Sequence, residues 1–126
     1  MYLIKIENSQ KSLISELSIQ RITLDDHYFL SPNGKQYNGK ELATNDSRVL
    51  GGIIDKDWIQ FVQHSMDTNY GTAGIYHGII YNYDTNPYVE SKIISDSIID
   101  FGYPNIASTG INPNEKECVI GFNYTS

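Results

Sequence analysis

Three histidines could carry proton transfer in this chain of 126 residues, because an unperturbed imidazole titrates at about pH 6.5. His64 falls on the polar arc of an expected helix, within reach of Asp57 and Gln60, although a solvated surface histidine explains it as simply. His77 sits among Ile and Tyr in an expected strand, which suits a hydrogen-bonded core residue better than a catalyst. His27 opens an expected hairpin and reads as exposed. A small hydrolase or nuclease built on His64 and His77 is therefore one alternative, but no spacing recommends it. Asp55, Asp57 and Asp67 could offer oxygen ligands to a divalent cation. Asp55 and Asp57, however, stand about 200° apart around a helix, and a capping role accounts for Asp55. Cys118 lies on the apolar face of a strand, where a thiol is inert. The chain has no H-E-x-x-H, paired C-x-x-C, Walker loop or G-x-S-x-G. Gly71-Thr72-Ala73-Gly74 lacks both the G-x-G-x-x-G spacing and a helix after it, so phosphate binding fails on context. Neither a metal nor a cofactor is expected.

The stretch from Asp67 to Asp100 offers a different chemistry. Tyr70, Tyr76, Tyr81, Tyr83 and Tyr88 lie among Asp67, Asp84 and Glu90, and tyrosine combines large contact area with a polar tip that tolerates water. A surface made of both suits a partner rich in Lys and Arg. The candidate partner-binding residues are Asp57, Asp67, Tyr70, Tyr83, Asp84, Tyr88 and Glu90, joined by His64, Asp96 and Asp100. The competing reading has the tyrosines filling the core and Asp84 merely making a turn.

Charge supports the first reading. Of the net −6, residues 1 to 63 contribute −1 and residues 64 to 126 contribute −5. If the second half forms one face, its field repels phosphate backbones and steers a positively charged protein toward it. Direct nucleic-acid binding is disfavoured, since Lys92 is the only Lys or Arg between Lys56 and Lys116. The plainer reading is that the charge only maintains solubility.

The elements that must position these residues read as one α+β domain spanning 1–126, a mainly antiparallel sheet of about five or six strands with two helices on one face. Met1 to Glu7 is a strand with Tyr2, Ile4 and Ile6 buried. Leu13 to Leu17 reads as a short helical turn, followed by a strand to about Leu24. Ser31-Pro32-Asn33-Gly34 is expected to turn a hairpin between His27–Leu30 and Lys35–Asn38, with a second turn at Asn38-Gly39. Lys40 to Leu50 is a loop or short helix that breaks at Gly51-Gly52. Asp55 to Met66 is the first helix, because Trp58, Ile59, Phe61, Val62 and Met66 fall within an arc of about 160°. Gly74 to Tyr83 is a central strand in which Gly78 admits a close neighbour, expected to be a packed helix. Tyr88 to about Phe101 is the second helix, ended by Gly102-Tyr103-Pro104. Glu117 to Tyr124 is a strand with Cys118, Ile120, Phe122 and Tyr124 on one face.

Met1 to Gln10 lacks the apolar stretch of a signal peptide, no segment reaches the roughly 18 apolar residues that span a bilayer, and the one cysteine cannot form an intramolecular disulfide. A cytoplasmic protein is expected, and scarce Arg and Ala beside abundant Ile, Asn and Tyr point to an AT-rich bacterial or phage genome. The leading functional expectation is a non-catalytic binding protein that neutralises a basic protein partner. Its specific form is an immunity protein occluding the active site of a cognate bacterial toxin, such as a nuclease effector. A phage protein that inactivates a host defence factor shares nearly every feature, and a module binding a small molecule between tyrosines is a further alternative.

Overall fold

The computed structural model describes residues 1–7, 16–24, 27–112 and 115–125, and among these residues there are ten strands and no helix. β1 (Tyr2–Glu7) pairs with β2 (Glu16–Arg21), and β3 (Gly34–Lys35) with β4 (Glu41–Leu42). β5 (Val49–Ile54), β6 (Trp58–Met66), β7 (Ala73–Tyr81) and β8 (Tyr88–Ile94) form a four-stranded meander in chain order. β9 (Phe101–Ser108) pairs with β10 (Cys118–Tyr124), and every one of these pairings is antiparallel.

The meander organises the molecule because both of its faces are covered. On one face Phe61, Tyr76, Ile80 and Val89 pack with Ile22, flanked by Met1, Leu3 and Leu24 from the N-terminal segment. On the other, Val62 and Ile75 pack with Ile106, flanked by Phe101, Ile120 and Phe122 from the β9–β10 pair. Neighbouring residues of β7 such as Ile75 and Tyr76 point to opposite faces and are both fully buried.

This overturns the expected α+β architecture with two helices. Asp55 to Met66 is a turn followed by β6, and the supposed helical arc arises because Phe61 fills one face of the sheet while Val62 fills the other. Its polar residues are not on a surface either: Gln60, Gln63, His64 and Ser65 are all buried. Hydrogen bonds replace water for Gln60, Ser65 and one ring nitrogen of His64, whereas Gln63 Nε2 and His64 Nδ1 are buried without a partner among the described residues. Ser65 Oγ accepts the Phe29 N–H at 3.1 Å, and the Gln60 amide donates to the Lys116 carbonyl at 3.3 Å. The segment from Tyr88 to Phe101 is likewise β8, then a turn, then the start of β9. The doublet Ile93-Ile94 serves the two faces of the sheet instead of a broad helical stripe. Gly102-Tyr103-Pro104, expected to end a helix, lies within β9, where Tyr103 takes a φ of 52°.

Several smaller expectations change with it. Gly78 is crowded by a ring from the adjacent strand, not by a helix, since a Cβ there would lie 2.3 Å from Phe61 Cζ. Gly51-Gly52 lies inside β5, and His27 to Leu30 is not a strand; the small pairing that does form, β3 with β4, turns at Asn38-Gly39. The β1 strand is present, but with inverted sense: Leu3 packs toward the core while Tyr2, Ile4 and Ile6 are exposed. Leu13 and Ile14, the start of the expected helical turn, lie outside the described residues; from Glu16 the chain is strand β2. The central strand β7 and the C-terminal strand β10 lie where the alternation places them. No helix among the described residues is long and apolar enough to cross a membrane.

Candidate functional site

The meander has two ends, separated by the nine residues of β6, about 27 Å of extended chain. Each candidate acid belongs to one end: all but Glu90, which lies near the start of β8, sit in turns or connections, and these alternate between the ends.

At the end formed by the β6–β7 turn and the β8–β9 connection, carboxylates hold backbone. Asp67 accepts the Asn69 N–H at 2.7 Å and the Ser95 hydroxyl, and these bonds, the Ser95 one foremost, hold its carboxyl below the usual range. Asp96 accepts the N–H groups of Ile98 and Ile99 at 2.8 and 3.0 Å, which lowers its carboxyl in the same way. Asp100 is buried, with one oxygen on the Ala73 N–H at 2.7 Å and the other on the Lys35 N–H at 2.8 Å. Tyr70 is exposed at this end. These residues explain how the turns are built, and they leave Tyr70 as the free contact surface among them.

At the opposite end, the β5–β6 turn and the β7–β8 turn lie side by side. Lys56, Asp57, Asn82, Tyr83, Asp84 and Thr85 line a cleft of about 210 Å³ there. The Tyr83 hydroxyl donates toward the Lys56 carbonyl at 3.2 Å and ties the two turns together. Asp84 is exposed and pairs with Lys5 of β1 at 2.5 Å; with Glu7 on its other side, Lys5 is raised above the ordinary lysine value. Beside the turns, Tyr81 and Tyr88 are cross-strand partners whose rings stack at 4.9 Å and 14°. The Tyr81 hydroxyl donates to Glu90 at 3.0 Å and accepts from Lys116 at 2.8 Å. The Lys116 ammonium lies 4.2 Å from the Tyr81 ring centre and 5.6 Å from that of Trp58. The result is an aromatic ledge of Trp58, Tyr81 and Tyr88, edged by Glu90 and Lys116.

The structure thus brings Asp57, Tyr83 and Asp84 together at the paired turns, sets Tyr88 and Glu90 at the same end of the sheet but on the face that carries Tyr81 and Lys116, and places Asp67, Tyr70, Asp96 and Asp100 at the far end. His64 is with neither group. It is fully buried mid-strand, its Nε2 accepting the Tyr103 N–H at 2.7 Å and its ring edge-on to Tyr103 at 5.5 Å. An accepting Nε2 requires the neutral ring with its proton on Nδ1. His77 shares that sheet face and hydrogen-bonds Gln60 at 2.9 Å. A two-histidine catalytic pair needs both rings to reach a substrate, and His64 has no surface to offer one. Among the described residues no group of three or more His, Cys, Asp or Glu could hold a metal ion. Cys118 is half-buried, and burial pushes its thiol up.

Trp58, Tyr81 and Lys116 were missed as site residues. The signal for Tyr81 was its place in the tyrosine-rich stretch before the turn Asp84-Thr85-Asn86-Pro87; its pairing with Tyr88, and Trp58 beyond it, follow from the observed register. Lys116 follows a segment without pattern, and nothing in the sequence points to it.

Burial pushes both His64 and His77 below the ordinary imidazole value. Below about pH 6.5 the unfolded chain therefore binds more protons than the folded one, so stability is full above that pH and declines as the pH falls through the lowered folded values. The urea unfolding midpoint is expected to drop between pH 7.5 and pH 5.5, before the carboxylates titrate; a flat midpoint across that interval would contradict the buried, neutral histidines.

No protein-family model, curated protein or solved structure matches this chain, so its chemistry rests on its own residues.

Proposed function

We propose that the chain is a non-catalytic binding protein that covers a cationic surface of another protein, acting in the cytosol as an immunity-type inhibitor of a basic toxin. The observation that carries this reading is the grouping of exposed Asp57, Asp84, Tyr88 and Glu90 at one end of a sheet whose strands are fixed by two cores. Stacked tyrosines offer contact area already ordered before binding, which lowers the entropic cost of association. The carboxylates give direction to the encounter. Lys5 and Lys116 already neighbour Asp84 and, through Tyr81, Glu90, so an incoming Lys or Arg would exchange with them instead of meeting bare charge. Such an exchange makes binding sensitive to salt and favours arginine, whose planar fork can stack on the Tyr81–Tyr88 ledge while it bonds to Glu90.

The product of the gene adjacent to the one encoding this chain is the partner to test. Binding measured at low and high salt is expected to be tight and to weaken as salt rises. The double variant Asp84→Asn with Glu90→Gln should weaken it about 10-fold or more without a change in the unfolding midpoint. A monodisperse chain with no affinity for that neighbour, or affinity indifferent to both salt and the double variant, would defeat the reading.

A further inference from the structure

In the β1–β2 pair, residues directly opposite each other share a face, and the register sets Ile4 against Ile19, Ile6 against Leu17 and Tyr2 against Arg21. All five apolar side chains of those rungs are open to solvent, each between 58% and 68% exposed. The alternate positions, Lys5, Glu7, Ser18 and Gln20, face the other way and line a cleft with Leu3, Tyr83 and Asp84. The hairpin is therefore turned with its polar side toward the rest of the molecule and its apolar side out. Single exposed apolar residues need no explanation, but a contiguous apolar stripe on both strands of a hairpin does.

We infer that this outer face is a self-association surface, where two copies of the chain pack hairpin against hairpin about a twofold axis. Two observations favour a second copy. The first is area: the five side chains leave on the order of 600 Å² open, so two stacked faces would bury about 1,200 Å², the lower bound of a standard specific interface. The second is charge: the chain carries a net −6, yet the rungs of this face hold no carboxylate and only one cation, Arg21. Two copies that repel one another over most of their surfaces meet least repulsion here. Branched aliphatic rungs are also self-complementary, as a twofold interface requires. The inference is independent of the proposed partner surface, which lies on the turns and the ledge, and dimer formation leaves that surface open.

Sedimentation equilibrium of the full chain from about 5 to 200 µM tests it. The expected result is a concentration-dependent shift toward twice the 14.3 kDa chain mass. Ile4→Thr with Ile19→Thr keeps β-branched residues in both strands, and should weaken the dimer about 100-fold or more with an unchanged far-ultraviolet spectrum. Arg21→Glu, a single exposed change, is the second variant and should weaken it by a smaller factor, because it makes each chain more negative than −6 and puts a carboxylate on a face whose rungs hold none. A wild-type chain that stays monomeric at the top concentration overturns the inference, including one that binds phosphatidylcholine vesicles instead. A dimer that persists in both variants overturns it as well, since two copies would then meet elsewhere.

Discussion

Replacing Gly78 by alanine should destabilise the protein by about 3 kcal/mol and lower its melting temperature by roughly 10 °C, although only one methyl group is added. The new Cβ would lie 2.3 and 2.4 Å from two ring carbons of Phe61, well inside any real contact. A free ring could swing aside. This one is 3% exposed, lies against Tyr76 at 5.9 Å and packs in the cluster with Ile22, Ile80 and Val89, so moving it disturbs the core on that face. The cause can be isolated by shortening the ring: Gly78→Ala combined with Phe61→Leu should cost less than the two single changes added together, with a coupling of about 1 to 2 kcal/mol. Urea unfolding of the four proteins gives both numbers. An unchanged midpoint in Gly78→Ala would mean that Phe61 is not where the structure puts it.

The second large effect is expected at Asp100. Its two carboxylate oxygens take the N–H groups of Lys35 and Ala73, while its backbone carbonyl accepts the Thr125 N–H at 2.9 Å. The side chain thus joins β3 to the start of β7, and the backbone of the same residue holds the C-terminal segment. Asp100→Ala leaves two backbone donors without acceptors, each costing about 1 to 3 kcal/mol, so a total near 4 kcal/mol is expected. Asp100→Asn keeps one accepting oxygen and should lose about half as much. Asp84→Asn, at the other end of the sheet and solvent-exposed, should leave the midpoint where it is. If Asp84→Asn were the damaging change and Asp100→Ala harmless, the division of the acids into structural and surface groups would be reversed.

How much of this was legible depended on whether a residue's polarity matched its exposure. β7 and β10 were readable because period-two alternation survives in them, with Ile75 and Ile120 falling on inward positions. β6 was not, because Gln60, Gln63, His64 and Ser65 are polar and buried, and a pattern method counts them as a solvent-facing stripe. With those residues set outward, Trp58, Ile59, Phe61, Val62 and Met66 form a plausible helical face. β8 failed for a related reason: Ser95-Asp96-Ser97 does carry turn-forming residues, with Asp96 bonding Ile98 and Ile99, but the doublets Ile93-Ile94 and Ile98-Ile99 on either side read as one apolar helical stripe. β1 shows the opposite fault. Its alternation is clear, but alternation cannot say which face is inward when the apolar one is left outside.

The site was half legible. Composition located a tyrosine-rich, acidic second half; Asp57, Tyr83 and Asp84 share one cleft, and Tyr88 and Glu90 lie at the same end of the sheet on its other face. The single patch expected of all the acids depended on two helices that would have gathered them on one side. In a meander the turns alternate between ends, so Asp67, Asp96 and Asp100 had to separate from Asp57 and Asp84. Their roles also differ for a physical reason: a carboxylate beside free backbone N–H groups is consumed in capping them.

We propose that partner recognition belongs to the end carrying Asp57, Asp84 and the Tyr81–Tyr88 ledge. Amide chemical shifts of the chain, followed while the adjacent gene's product is added, test it most directly. Saturable changes over residues 55 to 58 and 81 to 90, with Asp67, Asp96 and Asp100 unmoved, are the expected result. Changes centred on Tyr70 and residues 95 to 100 would contradict it.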